Sequence, residues 1–279
     1  MPDASRTAQT AHALRAVALS PHIVELMFAA GAQATLVGVA QGSDYPPAAQ
    51  SLPVIGDGNK PDPERLLSTR PDVVLAWLAP PLRSLLPLLA AQHIEVVYSD
   101  PRTLNDIAQE IEHLGQVFGT QAVATPAAQA VTQRIEALRA RHANATPVRV
   151  FIQVGNAPLY SVGESSIISD ALRVCGGVNV MGATGLVAPR TSVEGVLATR
   201  PDAILTGVSN AYEAQAVQTF WRNQGWPRDR EADARIIALS ADALYRATPR
   251  LIDATETLCE RLDALRTISL DRTQSPGRG

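Results

Sequence analysis

A sixteen-residue unit occurs twice in this chain. Asp62 to Trp77 (DPERLLSTRPDVVLAW) returns as Ser192 to Gly207 (SVEGVLATRPDAILTG), a separation of 130 residues (192 less 62). Seven positions are identical without a gap: Glu64/Glu194, Leu67/Leu197, Thr69/Thr199, Arg70/Arg200, Pro71/Pro201, Asp72/Asp202 and Leu75/Leu205. Each copy reads as a short helix (Glu64 to Ser68, Glu194 to Ala198), an Arg-Pro-Asp turn and an apolar strand. The proline enforces the stop, because it has no amide to donate and pushes its predecessor out of helical geometry. A repeat this long and this widely spaced predicts two similar halves, each with its own sheet.

The bulk properties agree. At 279 residues the chain favours two domains and can bury a substantial core. Its net charge is −3, with lysine nearly absent and arginine scattered, so no basic stripe exists and nucleic acid is not the expected partner. No apolar run reaches the roughly 18 to 20 residues of a membrane span. Met1 to Leu14 lacks the pattern of a secretory signal peptide. The two cysteines, Cys175 and Cys259, match no metal-ligand spacing; two buried thiols and a single disulfide both remain open.

Strand and helix patterns alternate around the repeat. Arg15 to Leu19 reads as a buried strand, with Ser20-Pro21 as N-cap and first helical position of a helix from His22 to Ala30, closed by Gly31. Leu36 to Val39 is a second strand, followed by the rigid loop Gly42 to Pro47. Val73 to Trp77 and Glu95 to Tyr98 complete the first half, with a helix from Leu82 to Gln92 between them. Leu104 to Ala143 carries apolar residues at helical spacing and reads as one long or two consecutive helices, with Pro126 starting or bending the second. The second half repeats the scheme: a strand from Val148 to Val154, a loop bearing Tyr160 and Gly163, a helix from Ser165 to Val174, the repeated unit, a strand from Ile236 to Leu239 and a last helix from Pro249 to Leu265. The expected fold class is α/β: two Rossmann-like lobes with mostly parallel sheets joined by a long rigid backbone helix. The expected boundaries are 15–103, 104–146 for the linking helix and 147–266, with 1–14 and 267–279 as disordered tails.

Motifs for chemistry are missing. The chain has no Gly-x-Gly-x-x-Gly after a strand, no phosphate-binding Gly-Lys-Ser/Thr loop and no Gly-x-Ser-x-Gly elbow, and its five histidines are dispersed. An enzyme is therefore the less expected reading. The order of elements, with Leu19-Ser20-Pro21, Ser43-Asp44-Tyr45-Pro46-Pro47, Ala76-Trp77, Val174-Cys175-Gly176-Gly177-Val178-Asn179 and Arg246-Ala247-Thr248-Pro249-Arg250, resembles the helical-backbone class of periplasmic substrate-binding proteins. These serve ABC importers of siderophores, haem and cobalamin, and the likeness is greatest to the cobalamin-binding members, from about Ala16 to Leu265.

The resemblance implies a monomer in the periplasm that captures cobalamin or a related corrinoid in a cleft between lobes and delivers it to the membrane permease subunits of an ABC importer. It needs no cofactor and no resident metal. The family's cleft aromatics fall on Tyr45, Trp77 and Tyr160, with Asp242 and Arg246 near the ligand. Glu64 and Glu194 match the pair of carboxylates that dock onto the importer, and Cys175 and Cys259 match the family disulfide. Four positions depart from the pattern: Gly58 and Ala188 stand where the cobalamin binders carry tryptophans, Ala243 replaces an aromatic residue, and His22 stands where the family has a small residue. His22 is either a plain helix-start residue or an axial ligand to the ligand's metal, and Trp77 either a strand-end core residue or a ligand wall. Trp221 and Trp226 read as structural. Two other functions stay open: a binding protein for an iron siderophore or haem, and an enzyme or metal chaperone on the same scaffold.

Overall fold

The computed structural model describes residues 14–77, 79–226 and 233–274. The tail expected over 1–14 thus lies outside the described residues but for Leu14. The chain divides into two compact units: one holds the residues up to Asp100 with Leu114–Thr120, the other Pro101–His113 with Gln121 onward.

The first unit is built on four parallel strands, β1 (Ala16–Ala18), β2 (Leu36–Val39), β3 (Val73–Ala76) and β4 (Glu95–Tyr98), in the order β2-β1-β3-β4. In β1 and β3 every residue is buried, which is why these strands read as unbroken apolar runs rather than as alternating ones. The second unit repeats this sheet with β5 (Val148–Gln153), β6 (Gly177–Asn179), β7 (Ala203–Val208) and β8 (Ile236–Ser240), in the order β6-β5-β7-β8. The register is also the same. Ala16, Val17 and Ala18 lie opposite Val73, Val74 and Leu75, as Val150, Phe151 and Ile152 lie opposite Ala203, Ile204 and Leu205. Equivalent side chains fill the two cores, with Val17, Leu66 and Val74 in one and Phe151, Val196 and Ile204 in the other.

The repeated unit is held by one set of bonds in each copy. Helix Pro63–Ser68 starts on Asp62, whose carboxylate accepts from the amides of Glu64 and Arg65; helix Val193–Ala198 starts on Ser192, whose hydroxyl accepts from Gly195 N–H. Both helices end in the left-handed region, at Arg70 and Arg200, each with φ 48°. A side chain there costs roughly 1–2 kcal/mol. The residue leading into the first central strand offsets that cost. Arg15 N–H donates to Asp72 Oδ2 at 2.8 Å, Asp72 N–H returns a bond to Arg15 C=O at 2.8 Å, and the Arg15 guanidinium donates to Thr69 C=O at 2.7 Å. In the second copy Arg149 does the same with Asp202 Oδ2 at 2.8 Å and Thr199 C=O at 2.8 Å.

Of the two possibilities for the stretch after Leu104, the chain adopts two helices, Leu104–Phe118 and Gln121–His142, interrupted at Gly119, whose φ of 70° suits glycine. Pro126 neither starts nor ends the second helix but lies inside it. Helix Gln121–His142 is fastened within the second unit to the last helix, Pro249–Gln274, by Arg134 to Asp253 (2.6 Å) and Glu256 (2.8 Å) and by the buried His142 to Asp263 (3.1 Å). That last helix runs to Gln274, past the start of the tail expected at 267; residues 275–279 lie outside the described residues. Cys175, the C-cap of helix Ile167–Val174, is disulfide-bonded to Cys259 in the same last helix, so the open choice at the cysteines resolves to a disulfide.

The fastening carries a pH dependence. The Arg134 hydrogen bond holds the Glu256 carboxyl below the usual range. At Asp263 burial pushes the pKa up, but hydrogen bonds from His142 and Arg266 outweigh it and the net displacement is downward. A carboxyl whose folded pKa is lowered stabilises the fold above its unfolded value, and that contribution fades as pH falls through the folded one. Denaturant midpoints are therefore expected to fall below about pH 4, the ordinary carboxylate range. The Glu256→Gln, Asp263→Asn double variant is expected to be less stable at pH 6 and to lose less on acidification. Parallel midpoint-against-pH curves for the two proteins contradict this.

Candidate functional site

In open α/β sheets, ligands gather at the carboxyl ends of the strands, because the strand-to-helix loops converge there. Each unit places the residues of interest at that end of its own sheet.

In the first unit β1 runs into Ser20-Pro21 and the helix Pro21–Ala29. Ser20 is the N-cap by position, but its hydroxyl makes no cap bond; it lies 2.8 Å from His22 Nδ1. His22 Nε2 faces the carbonyl of Ser99, just past β4, at 3.4 Å. A carbonyl can only accept, so in the neutral ring Nε2 carries the proton and Nδ1 accepts from Ser20. The imidazole is buried (7 % exposed) and meets Trp77 edge-on, ring centroids 5.9 Å apart at 83°. Its Nε2 is turned to a backbone carbonyl beneath Trp77, where it supports that ring.

Trp77 follows β3 and is 51 % exposed, so it is not a core residue. Its Nε1–H donates to Asp100 Oδ1 at 2.9 Å. The indole therefore stands in the open with its edge tied to Asp100 and its base on His22, a preorganised flat surface. Tyr45, in the loop after β2, is likewise exposed. Gly58 lies at the tip of the hairpin formed by Gly56–Asp57 and Lys60–Pro61. A Cβ there would come 2.5 Å from the carbonyl oxygen of Leu19, so the local backbone admits no tryptophan at this position.

In the second unit Tyr160 sits half-exposed on the strand Leu159–Tyr160, the centre of a small antiparallel sheet with Gly155–Asn156 and Arg190–Thr191. Ala188 is exposed in the loop before Arg190. Asp242 and Arg246 lie at the two ends of helix Ala241–Tyr245 and pair with each other at 2.7 Å. Between them in sequence comes Tyr245, a residue that sequence reasoning passed over. Its ring borders a concavity of about 300 Å³ at the carboxyl ends of β5 and β7, with Val154, Asn156, Thr206 and Glu213 among the other walls.

Glu64 and Glu194 occupy the same position, second in equivalent helices, and both are exposed. Its own backbone N–H, and then the Ser192 hydroxyl, hold the Glu194 carboxyl below the usual range. Trp221 and Trp226 are buried in the core, Trp221 Nε1–H donating to Gln153 Oε1 at 2.7 Å.

Of the residues sequence reasoning singled out, the first unit brings His22, Trp77 and Tyr45 to the strand ends, and the second brings Asp242 and Arg246 together. Asp100 and Tyr245 were missed. The one sequence signal for Tyr245 was indirect: a glycine, Gly207, at the repeat position of Trp77.

The support of Trp77 is open to test by incorporating 5-fluorotryptophan, which gives one fluorine resonance for each of the three tryptophans. Asp100→Ala and His22→Ala are each expected to shift the resonance assigned through Trp77→Phe and to leave those of Trp221 and Trp226 in place. An unmoved Trp77 signal in both variants contradicts the arrangement.

Comparison with known proteins gives a consistent picture. The family model described as periplasmic binding protein matches residues 17–228. The chain is 34 % identical over 251 residues to the vitamin B12-binding protein of Photorhabdus laumondii, covering 90 % of this chain and 88 % of that one. Among solved structures, the periplasmic vitamin B12 binding protein of Vibrio cholerae superposes with a TM-score of 0.80 at 32 % identity, covering 90 % of this chain and 97 % of the other. A periplasmic heme-binding protein from Roseiflexus sp. RS-1 superposes with a TM-score of 0.77 at 25 % identity, covering 91 % and 99 %.

Proposed function

The chain belongs to the periplasmic binding protein family, and from that membership we propose that it is the capture component of a corrinoid importer. It binds cobalamin or a close relative in the periplasm and hands it to the permease subunits of an ABC transporter, without transforming it. The observation that carries this reading is the 34 % identity with a vitamin B12-binding protein along 90 % of the chain. The exposed aromatic faces support it. A corrin is large, flat and rimmed with amides, so stacking surfaces supply much of the contact and a few polar groups fix orientation. Trp77, Tyr45 and Tyr160 serve as the former, Asp242 and Arg246 as the latter. Small residues at Gly58 and Ala188 leave fewer aromatic surfaces, which favours haem as a second reading, along with the 25 % identity to a heme-binding structure.

Glu64 and Glu194 fit a docking role. Two carboxylates at equivalent positions of a duplicated frame suit a partner that offers two equivalent subunits, and rim charges of this sort govern orientation and on-rate more than affinity.

Calorimetric titration with cyanocobalamin is expected to give a Kd of 1 μM or tighter, about −8 kcal/mol. Absence of heat with cyanocobalamin but saturable binding of haem would move the assignment to haem. The Glu64→Ala, Glu194→Ala variant is expected to bind cyanocobalamin as the parent protein does, yet to stimulate uptake into vesicles bearing the importer at least 10-fold less. Unchanged uptake removes the docking role.

A further inference from the structure

The duplicated unit ends differently in its two copies, and the difference points to an unassigned binding residue. At the end of β3 the first copy has Trp77; the second has Gly207, near the end of β7. The backbone is in register up to this point, since β1 opposes β3 as β5 opposes β7. The missing side chain leaves room above the strand, and Tyr245 fills it. A Cβ on Gly207 would lie 2.5 Å from Tyr245 Cε2 and 2.6 Å from Cζ, closer than any real contact. Ala241 Cα would lie 2.9 Å away as well, so the glycine makes room both for the tyrosine ring and for the backbone of the helix that carries it. Two bonds hold that ring in place: Gly207 N–H donates to the Tyr245 hydroxyl at 2.8 Å, and the hydroxyl donates to Gln153 C=O at 3.1 Å. Both anchors lie at the carboxyl ends of the central strands. Trp77 is tied in a comparable way, through its ring N–H to Asp100 just past β4.

We infer that Tyr245 is the second unit's counterpart of Trp77: a fixed aromatic wall, delivered from helix Ala241–Tyr245 instead of from the repeated strand, against which the ligand's flat macrocycle packs. Its burial state fits that role. The residue is 40 % exposed although its hydroxyl is committed to backbone groups, which suits a ring that presents a face and not a polar tip. It stands beside Arg246 and Asp242 on one short helix and opens onto the 300 Å³ concavity, which is too small for a macrocycle and suited to a side arm projecting from one. Lost aromatic surface at Gly58 and Ala188 is thereby compensated in part at a different position.

This inference rests on the corrinoid reading, and the test separates the two. Cyanocobalamin is titrated into the parent protein and into Tyr245→Ala, Tyr245→Phe, Gly207→Ala and the Gly207→Ala, Tyr245→Ala double variant, each first checked for an unchanged circular dichroism spectrum. Tyr245→Ala is expected to weaken binding by roughly 10- to 100-fold and Tyr245→Phe, which keeps the ring, by only a few-fold. Gly207→Ala, which displaces the ring and crowds the backbone of Ala241, is expected to weaken binding, and by less in the Tyr245→Ala background than in the parent protein. Binding by Tyr245→Ala within 2-fold of a parent protein that does bind, or strictly additive losses in the double variant, overturns the role of Tyr245. No binding by the parent itself overturns the corrinoid reading, and this inference with it. Should Tyr245→Ala fail the fold check, the Tyr245→Phe and Gly207→Ala pair decides: equal affinities for both overturn the wall.

Discussion

Each half of this protein depends on an aspartate that reaches across to the start of the neighbouring strand. Asp72 and Asp202 accept the backbone N–H of Arg15 and Arg149, return a backbone bond, and so align the two central strands before either has left the turn. The price is a left-handed arginine in both copies, Arg70 and Arg200. Such a residue persists only where its surroundings over-determine it. Here the determinants are the proline after it, the aspartate after that, and the guanidinium from the opposite strand on Thr69 or Thr199. Strand register follows from this lock, and with register comes the height at which Trp77 and Gly207 emerge.

Because the frame is fixed at the amino ends of the strands, the carboxyl ends are free to diverge. The first unit uses a tryptophan on the repeated strand, with His22 below it and Asp100 at its edge. The second deletes that side chain and brings Tyr245 in from a later helix, held by the backbone of both central strands. In both cases an aromatic ring is immobilised by bonds to groups that the sheet itself positions, so little of a ligand's binding energy is spent on ordering it. The remainder of the second unit adds rigidity at a distance: the disulfide and the Arg134 and His142 contacts tie helices Ile167–Val174 and Gln121–His142 to the last helix.

Much of this was legible in the sequence, for physical reasons that differ by element. The repeat with its Arg-Pro-Asp turn announced the duplicated sheets because proline and the helix-to-strand change leave strong local marks. The apolar runs at Ala16 to Ala18 and Val73 to Ala76 read correctly as buried strands because parallel strands are covered on both faces. The family likeness was equally visible, and the match over residues 17–228 agrees with it. What stayed hidden did so mostly where contacts are long-range. The surroundings of His22 were not visible, since only folding brings Ser99, 77 residues away, to its Nε2. Tyr245 is separated from Gly207 by 38 residues, and nothing local in either segment ties one to the other. The end of the last helix was missed because a polar, weakly amphipathic stretch after Leu265 carries no stop signal of its own, and no start of a new element. The closeness of Gly58 to the Leu19 carbonyl was likewise invisible before folding.

Hydrogen exchange followed by mass spectrometry, with and without saturating cyanocobalamin, examines the whole account in one measurement. Ligand is expected to slow exchange in peptides covering the loop at Tyr45, the Trp77 and Asp100 strand ends, the sheet at Tyr160 and the helix at Tyr245. The Arg-Pro-Asp turns, at the opposite ends of the strands, are expected to exchange at the same rate in either state. Protection confined to those turns contradicts a ligand held by the carboxyl-end aromatics of a duplicated frame.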